Sequence, residues 1–319
     1  MTDAQTNKPL LTVDRQIAHL KSKGVTFDLC SEDEAAEYLS DRTYYYKLAA
    51  YRVLFDKRVG GSRDGQYVGL DFGNLRELAS LDRKLRYALL PLTLDVEHAA
   101  RTKLMRIASE REGEDGADTV NAYVGSLNHA NRRRRLGELA ALSSDAYCGA
   151  LVDKYDLEAG EMPLWVLLEL LSFGSFIDLY LFCAGRWGMD DMLDEHYMLR
   201  QAKFVRNACA HSSNVINGFV GAGAAVATNA SVSQAVAAAG VSRRARSARM
   251  RNPRIKQIVT LLYLHIRLVA DGTTGRELAR AGLSSFKGAA EGVMADLPNN
   301  DAVCSSLGFL AALIDNWFA

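Results

Sequence analysis

"NLRELASLDRKLRYALLPLTLDVEHAARTKLMRIASERE", residues 74–112, decides the fold class. Leu75, Leu78, Leu81, Leu85, Leu89, Leu92, Val96, Ala100, Leu104 and Ile107 recur at three- and four-residue steps. That spacing predicts one long helix with a continuous apolar stripe. Pro91 sits inside it, where a missing N–H and a ring clash predict a kink. "REGEDGADT", from Arg111, supplies the end.

The segments on either side read the same way. "LTVDRQIAHLKSKG" (11–24) predicts a first helix on Leu10, Val13, Ile17 and Leu20, stopped at Gly24. "SEDEAAEYLSDRTYYYKLAAYRVLF" (31–55) predicts two helices broken near Ser40–Thr43, the first opened by a capping box of Ser31 and Glu34. "VGGSRDGQYVG" (59–69) reads as a turn-rich connection or hairpin. Downstream, "HANRRRRLGEL" and "SSDAYCGALVDKY" add shorter helices. "MPLWVLLELLSFGSFIDLYLF" (162–182) is a buried helix or helix pair, with Pro163 near its start and a break at Gly174. Residues 191–211 form another helix, and "RIKQIVTLLYLHIRLVA" and "CSSLGFLAALIDNWF" the last strong ones. Period-two patterning is almost absent and no repeat is visible, so the fold class is all-α.

Composition narrows the class. The 319 residues are 49% hydrophobic and 24% charged, as expected of a globular chain. Five scattered cysteines without a C-x-x-C pair point to neither a disulfide framework nor a zinc site. The polar "MTDAQTNKPL" lacks the apolar core of a signal peptide. The expectation is a cytoplasmic protein without metal or other cofactor. Net charge is zero, yet no Asp or Glu occurs from His196 to Ala270, whereas Arg200, Lys203, Arg206 and eight further Arg or Lys residues do. The asymmetry points to an anionic partner. Residues 218–241, "GFVGAGAAVATNASVSQAVAAAGV", stand apart as low-complexity sequence. A loosely ordered insertion fits them better than a membrane span, because large apolar groups are few.

"FVRNACAHSSN" (204–214) raises the functional question. Arg206, Asn207 and His211 stand among small residues near a helix end. A surface ion pair is one reading and a nuclease site the other. Arginine grips phosphate with two prongs, and histidine moves protons near neutral pH. RNA cleavage needs both: a base for the 2′-OH, charge on the phosphorane and a proton for the leaving oxygen. Asn207 and His211 share a face, but Arg206 is about 140° from His211 on an ideal helix. A long side chain or a helix irregularity must then bring them together. Cys209 completes the stripe Met198, Ala202, Val205, and reads as core.

"RNACAH" resembles the R-N-x-C-A-H motif of the Abi (abortive infection) family within the HEPN ribonuclease superfamily. "KPLLTVDRQIAHLKSKG", "YLSDRTYYYKLAAYRVLF", "LRYALLPLTLDVEHAARTKL" and "MPLWVLLELLSFGSFIDLY" are similar, in order, to that family's segments, from about Lys8 to His211. The resemblance implies a HEPN-like helical bundle, metal-independent endoribonuclease activity and a homodimer in which two motifs meet. It implies a role in antiphage defence as an abortive-infection or toxin-type protein, with a companion regulatory RNA or antitoxin as a further possible partner. It also suggests that Glu97 and Arg101 orient the Arg or His; an ordinary intrahelical ion pair is the plainer alternative.

The expected organisation is an N-terminal helical region (1–72), a HEPN-like core carrying the motif (73–214), a low-complexity and basic insertion (215–256), and C-terminal helices packed on the core (257–319). In the insertion, Arg243, Arg244, Arg246, Arg249, Arg251, Arg254 and Lys256 read as a basic arm that grips RNA backbone, mobile when empty. Arg132–Arg135 read as a solvated face with some phosphate affinity, and the tyrosines of "TYYYK" as half-buried core, with base stacking the alternative. Rival readings are a non-catalytic RNA-binding protein on the same scaffold and a membrane-active toxin using residues 218–241.

Overall fold

The structure, a computed structural model, describes residues 10–114, 116–155, 160–221, 227–297 and 300–319. Among them are fifteen α-helices and no strand; two isolated bridges, Thr26 with Asp71 and Lys57 with Tyr67, tie the N-terminal loops. The helices are α1 (Val13–Ser22), α2 (Glu32–Asp41), α3 (Tyr45–Ala49), α4 (Phe72–Ser109), α5 (Ala117–Ser126), α6 (His129–Ala140), α7 (Gly149–Lys154) and α8 (Leu164–Leu170). There follow α9 (Phe173–Trp187), α10 (Asp190–Ala210), α11 (Ala230–Ala238), α12 (Arg243–Arg249), α13 (Pro253–Leu268), α14 (Thr274–Asp296) and α15 (Asp301–Trp317).

Helix α4 is the axis of the molecule. Asp71 caps it by accepting from the Gly73 N–H, and Asn74 returns a side-chain oxygen to the Asp71 N–H. All ten stripe residues predicted from the sequence are buried. The helix runs without interruption through Pro91. Around it lie α10, α13 and α14, each long enough to bury a stripe of its own. Helix α10 runs antiparallel to α4: Lys103 pairs with Asp191 and Glu195 at one end, and Arg86 reaches the Ser213 carbonyl at the other.

Helix α14 has no counterpart in the sequence reading. Its apolar stripe, Ala279, Leu283, Phe286, Ala290 and Val293, keeps three- and four-residue steps but mixes small residues with large ones. It nevertheless packs closely along α4, because small residues let two helix backbones approach. A Cβ placed on Gly282 would lie 3.7 Å from the Ala88 Cα, an ordinary van der Waals distance. Gly282→Ala is therefore expected to stabilise the protein by about 0.5–1 kcal/mol through the helix propensity gained. Urea unfolding checks this, and a loss of stability would show that the α4–α14 seam has no room.

A buried polar node joins three of the long helices. His265 of α13 has a fully buried side chain; its Nε2 lies 3.2 Å from Asp95 Oδ2 of α4, and Nδ1 lies 3.4 Å from Arg276 Nη1 of α14. Burial lowers the His265 pKa, against the opposing pull of Asp95. His196, buried against the Ile177 carbonyl, is lowered by burial as well. A depressed folded pKa means the unfolded chain takes up protons first. Stability present above the unfolded value of about 6.5 is thus lost as pH falls below it. We expect a loss of about 1–2 kcal/mol between pH 7.5 and about 5.5, partly removed by His196→Gln. A denaturation midpoint that is flat over this range would refute it.

The break in the 162–182 segment falls at Leu171–Ser172, not at Gly174. Ser172 caps α9 by accepting from the Ser175 N–H, and Gly174 lies inside the first turn. The low-complexity segment is also more ordered than expected: Val232 and Val236 of α11 are buried, and α11 packs on α13. Residues 222–226 of that segment lie outside the described residues. Among the described residues, no helix is long and apolar enough to cross a membrane.

Candidate active site at the end of α10

Helix α9 ends where Gly188 takes a left-handed conformation at φ 63°, which only glycine adopts without penalty. α10 then starts with Asp190 and Asp191 in its first turn, where carboxylates suit the positive end of the helix dipole. Its buried face carries Met192, Met198, Leu199, Ala202, Val205 and Cys209. Burial pushes the Cys209 thiol up to about 12, so this cysteine is packing and no nucleophile. Arg206 and Asn207 are half-buried, and His211 is exposed.

His211 is the C-cap. The Ser213 N–H donates to the Ala208 carbonyl at 2.8 Å and the Ser212 N–H to the Cys209 carbonyl at 3.0 Å, the paired bonds of a Schellman ending. Ser212 therefore takes φ 52°, a left-handed conformation usually left to glycine. The helix stops abruptly and presents the imidazole at its rim. Among the described residues the His211 side chain has no hydrogen-bond or ion-pair partner, and Arg206 bonds its neighbour Asn207 Oδ1 at 3.3 Å. Among the described residues no hydrogen bond joins Arg206 to His211, and α10 is α-helical as far as Ala210.

The strand of chain after His211 is fixed by residues the motif does not include. Lys47 donates to the Ser212 carbonyl and Arg86 to the Ser213 carbonyl, while Asn214 Nδ2 donates to the Lys47 carbonyl at 2.8 Å. Asp82 anchors the next turn: it accepts from the Val215 N–H at 3.0 Å, the Ile216 N–H at 2.8 Å and the Tyr51 hydroxyl at 2.6 Å, and it pairs with Arg86. Burial, then the adjacent carboxylate, raises the Tyr51 pKa strongly, which keeps the phenol a donor. Burial, helped by Arg86, lowers the Lys47 pKa.

The other sequence candidates lie elsewhere. Glu97 and Arg101 do pair, at 2.5 Å, but Arg101 also donates to the Leu168 and Leu171 carbonyls and lies 4.8 Å over the Phe176 ring. This pair clamps the α8–α9 break to α4. It stands eleven to fifteen residues along α4 from Arg86, about 16–22 Å, and among the described residues no hydrogen bond or ion pair joins it to His211. Arg135, expected on a solvated face, is only 2% exposed and is held by Glu138, Asp178 and the Tyr123 hydroxyl. Conversely Tyr44 and Tyr46, expected half-buried, are 59% and 79% exposed; Tyr45 alone of the three is half-buried.

The basic segment is no free arm. Arg246 donates to the Val241 carbonyl, Arg249 to Ser306 Oγ, and Arg254 to the carbonyls of Asn214 and Val215 and to Asn217 Oδ1. Lys256 is buried on α13. The order expected to arise on RNA is already present, because these guanidinium groups cap carbonyls at the ends of neighbouring segments. Arg243, Arg244 and Arg251 remain exposed.

Comparison with curated proteins and with solved structures returns no match. A family model described as Abi-like protein matches residues 37–217, more than half of the chain, and takes in α4, the α8–α9 pair and the motif at the end of α10. The chain therefore belongs to the Abi-like protein family.

Proposed function

We propose that the protein is a metal-independent endoribonuclease of an abortive-infection or toxin-type antiphage defence system. The observation that carries this reading is the end of α10. An exposed imidazole sits one turn from an arginine and an asparagine, and the fold draws none of the three into a core or an ion pair. In the proposed chemistry, His211 moves the proton between the 2′-OH and the 5′ leaving oxygen, and Arg206 holds charge on the phosphorane. Asn207 orients Arg206. The 2′-oxygen attacks the adjacent phosphorus, the P–O5′ bond breaks, and a 2′,3′-cyclic phosphate and a 5′-OH remain. Membership of the Abi-like family suggests the abortive-infection setting.

Because the chain carries one such motif and no hydrogen bond joins Arg206 to His211 among the described residues, the reading includes a homodimer in which two motifs complete one another across an interface. Cleavage should persist in EDTA and leave cyclic-phosphate ends, read by end-mapping of the products. Loss of activity in EDTA with recovery on magnesium addition would overturn the mechanism. A monomer that sediments as such and cuts at full rate would overturn the shared site.

The absence of a bond between Arg206 and His211 among the described residues favours a second reading, an RNA-binding protein of this scaffold without catalysis. RNA that binds tightly and is recovered intact from the native protein would decide for it.

A further inference from the structure

A basic pocket opens beside the end of α10, on the side of α2, α3 and α4, with a volume of about 630 Å³. Ser212 and Asn214, the first and third residues after His211, form part of its wall. Arg42, Lys47, Arg76, Arg83 and Arg86 line it from three separate elements. In sequence they are scattered from Arg42 to Arg86, and only Arg83 has a basic neighbour, Lys84.

The electrostatics are unbalanced toward positive charge. Arg86 is matched by Asp82. Glu77 is the acid in the wall; its Oε2 is buried without a partner, and burial, then Asp296, raises its pKa. Lys47 donates to a backbone carbonyl and Arg76 to the Cys30 sulfur at 3.6 Å, neither of which neutralises a cation. Arg42 and Arg83 are exposed and have no carboxylate partner among the described residues. Arg83 lies 5.4 Å over the ring of Tyr87, which is 68% exposed at the pocket rim. Cations beside open aromatic faces are the combination that holds phosphates while bases stack.

From this we infer that the pocket is a binding site for single-stranded RNA, which seats phosphates of the strand leading to His211 on Arg42, Lys47 and Arg83 and stacks a base on Tyr87. The inference rests on the ribonuclease reading and adds the path of its substrate. A duplex would leave the tyrosine idle, because paired bases keep their faces to each other. The site also explains why the chain after His211 is pinned by Lys47 and Arg86: the same residues fix the helix end and line the pocket.

The test is binding of a fluorescent 2′-O-methyl oligouridine of about twelve nucleotides, a strand that spans one such groove and lacks the attacking hydroxyl. Native protein is compared with Arg42→Gln/Arg83→Gln over a salt series. Removing two phosphate contacts should weaken binding by about 10- to 30-fold at 0.1 M salt and make the log–log slope shallower by about 1.4. Arg132→Gln/Arg133→Gln on α6 removes equal charge from exposed positions and should change affinity by less than about threefold. Pocket and α6 variants that weaken binding equally would overturn the inference, as would native protein binding the oligomer no tighter than uridine monophosphate. Cleavage of unmodified RNA, assayed in parallel, separates the two claims. Pocket-dependent binding without cleavage would remove only the nuclease reading; His211-dependent cleavage with unaltered binding by the pocket variant would remove only the pocket.

Discussion

On the proposed ribonuclease reading, His211→Ala is expected to lower the rate of RNA cleavage by about 10²–10⁴-fold, the usual contribution of a positioned proton-transfer group, and to leave the fold as it was. The second half of the expectation follows from geometry. The imidazole is exposed and without a partner among the described residues, so its removal uncovers no core and orphans no hydrogen bond. A surface change of this kind moves stability by no more than about 0.5 kcal/mol. Arg206→Ala should fall as far in rate, and Arg206→Lys should recover only part of it, since an ammonium cannot supply the paired N–H donors of a guanidinium. The measurement is single-turnover cleavage of a labelled RNA together with thermal unfolding of each variant. Cleavage by purified His211→Ala at the native rate would sink the assignment.

What the sequence showed and what it hid follow from the range over which each signal acts. The stripe of α4 is periodic over many turns, and every one of its predicted positions is buried. The Ser31–Glu34 capping box is equally local, and both of its bonds form. Failures came where burial depends on a distant partner. α14 has a stripe at regular three- and four-residue steps, but two of its five buried apolar positions are alanine, so large apolar residues do not mark it, and it lies against Ala88 of α4 at Gly282. The run Arg132–Arg135 reads as one charged face, yet Arg135 turns inward because Glu138, Asp178 and Tyr123 surround it. The basic segment reads as an arm because its carbonyl partners, Asn214, Val215 and Val241, carry no mark in sequence. The candidate site divides in the same way. Arg206, Asn207 and His211 stand out as a motif. Lys47, Asp82 and Arg86 do not, and Asp82 with Arg86 has the same four-residue spacing as Glu97 with Arg101. Spacing alone could not tell which pair stands beside the histidine.

Asp82 carries the largest expected effect on stability. Its side chain is fully buried and receives four groups: the Tyr51 hydroxyl, the N–H groups of Val215 and Ile216, and the Arg86 guanidinium. The donors come from three parts of the chain, so one carboxylate ties the turn after α3, α4 itself and the segment after the motif. Asp82→Ala strands a largely buried guanidinium and leaves three donors without an acceptor. Breaking one side of a buried pair costs about 3–5 kcal/mol, and each orphaned donor adds to it unless water enters. For a chain of this size that corresponds to a fall in melting temperature of about 5–8 °C. The effect should reach the site as well, because the backbone from Ser212 to Ile216 loses its anchor while Lys47 and Asn214 still hold its first turn. Asp82→Asn tests the cause. It keeps one acceptor oxygen for the backbone donors but not the charge opposite Arg86, so it should lie between native and alanine. Adding Arg86→Met to Asp82→Ala removes the stranded cation and should return part of the loss. If the double variant is no more stable than Asp82→Ala, the stranded charge is not what the alanine exposes. The weight then rests on the backbone donors of Val215 and Ile216, and native-state amide exchange at those two N–H groups would show them opening in Asp82→Ala and in the double variant alike.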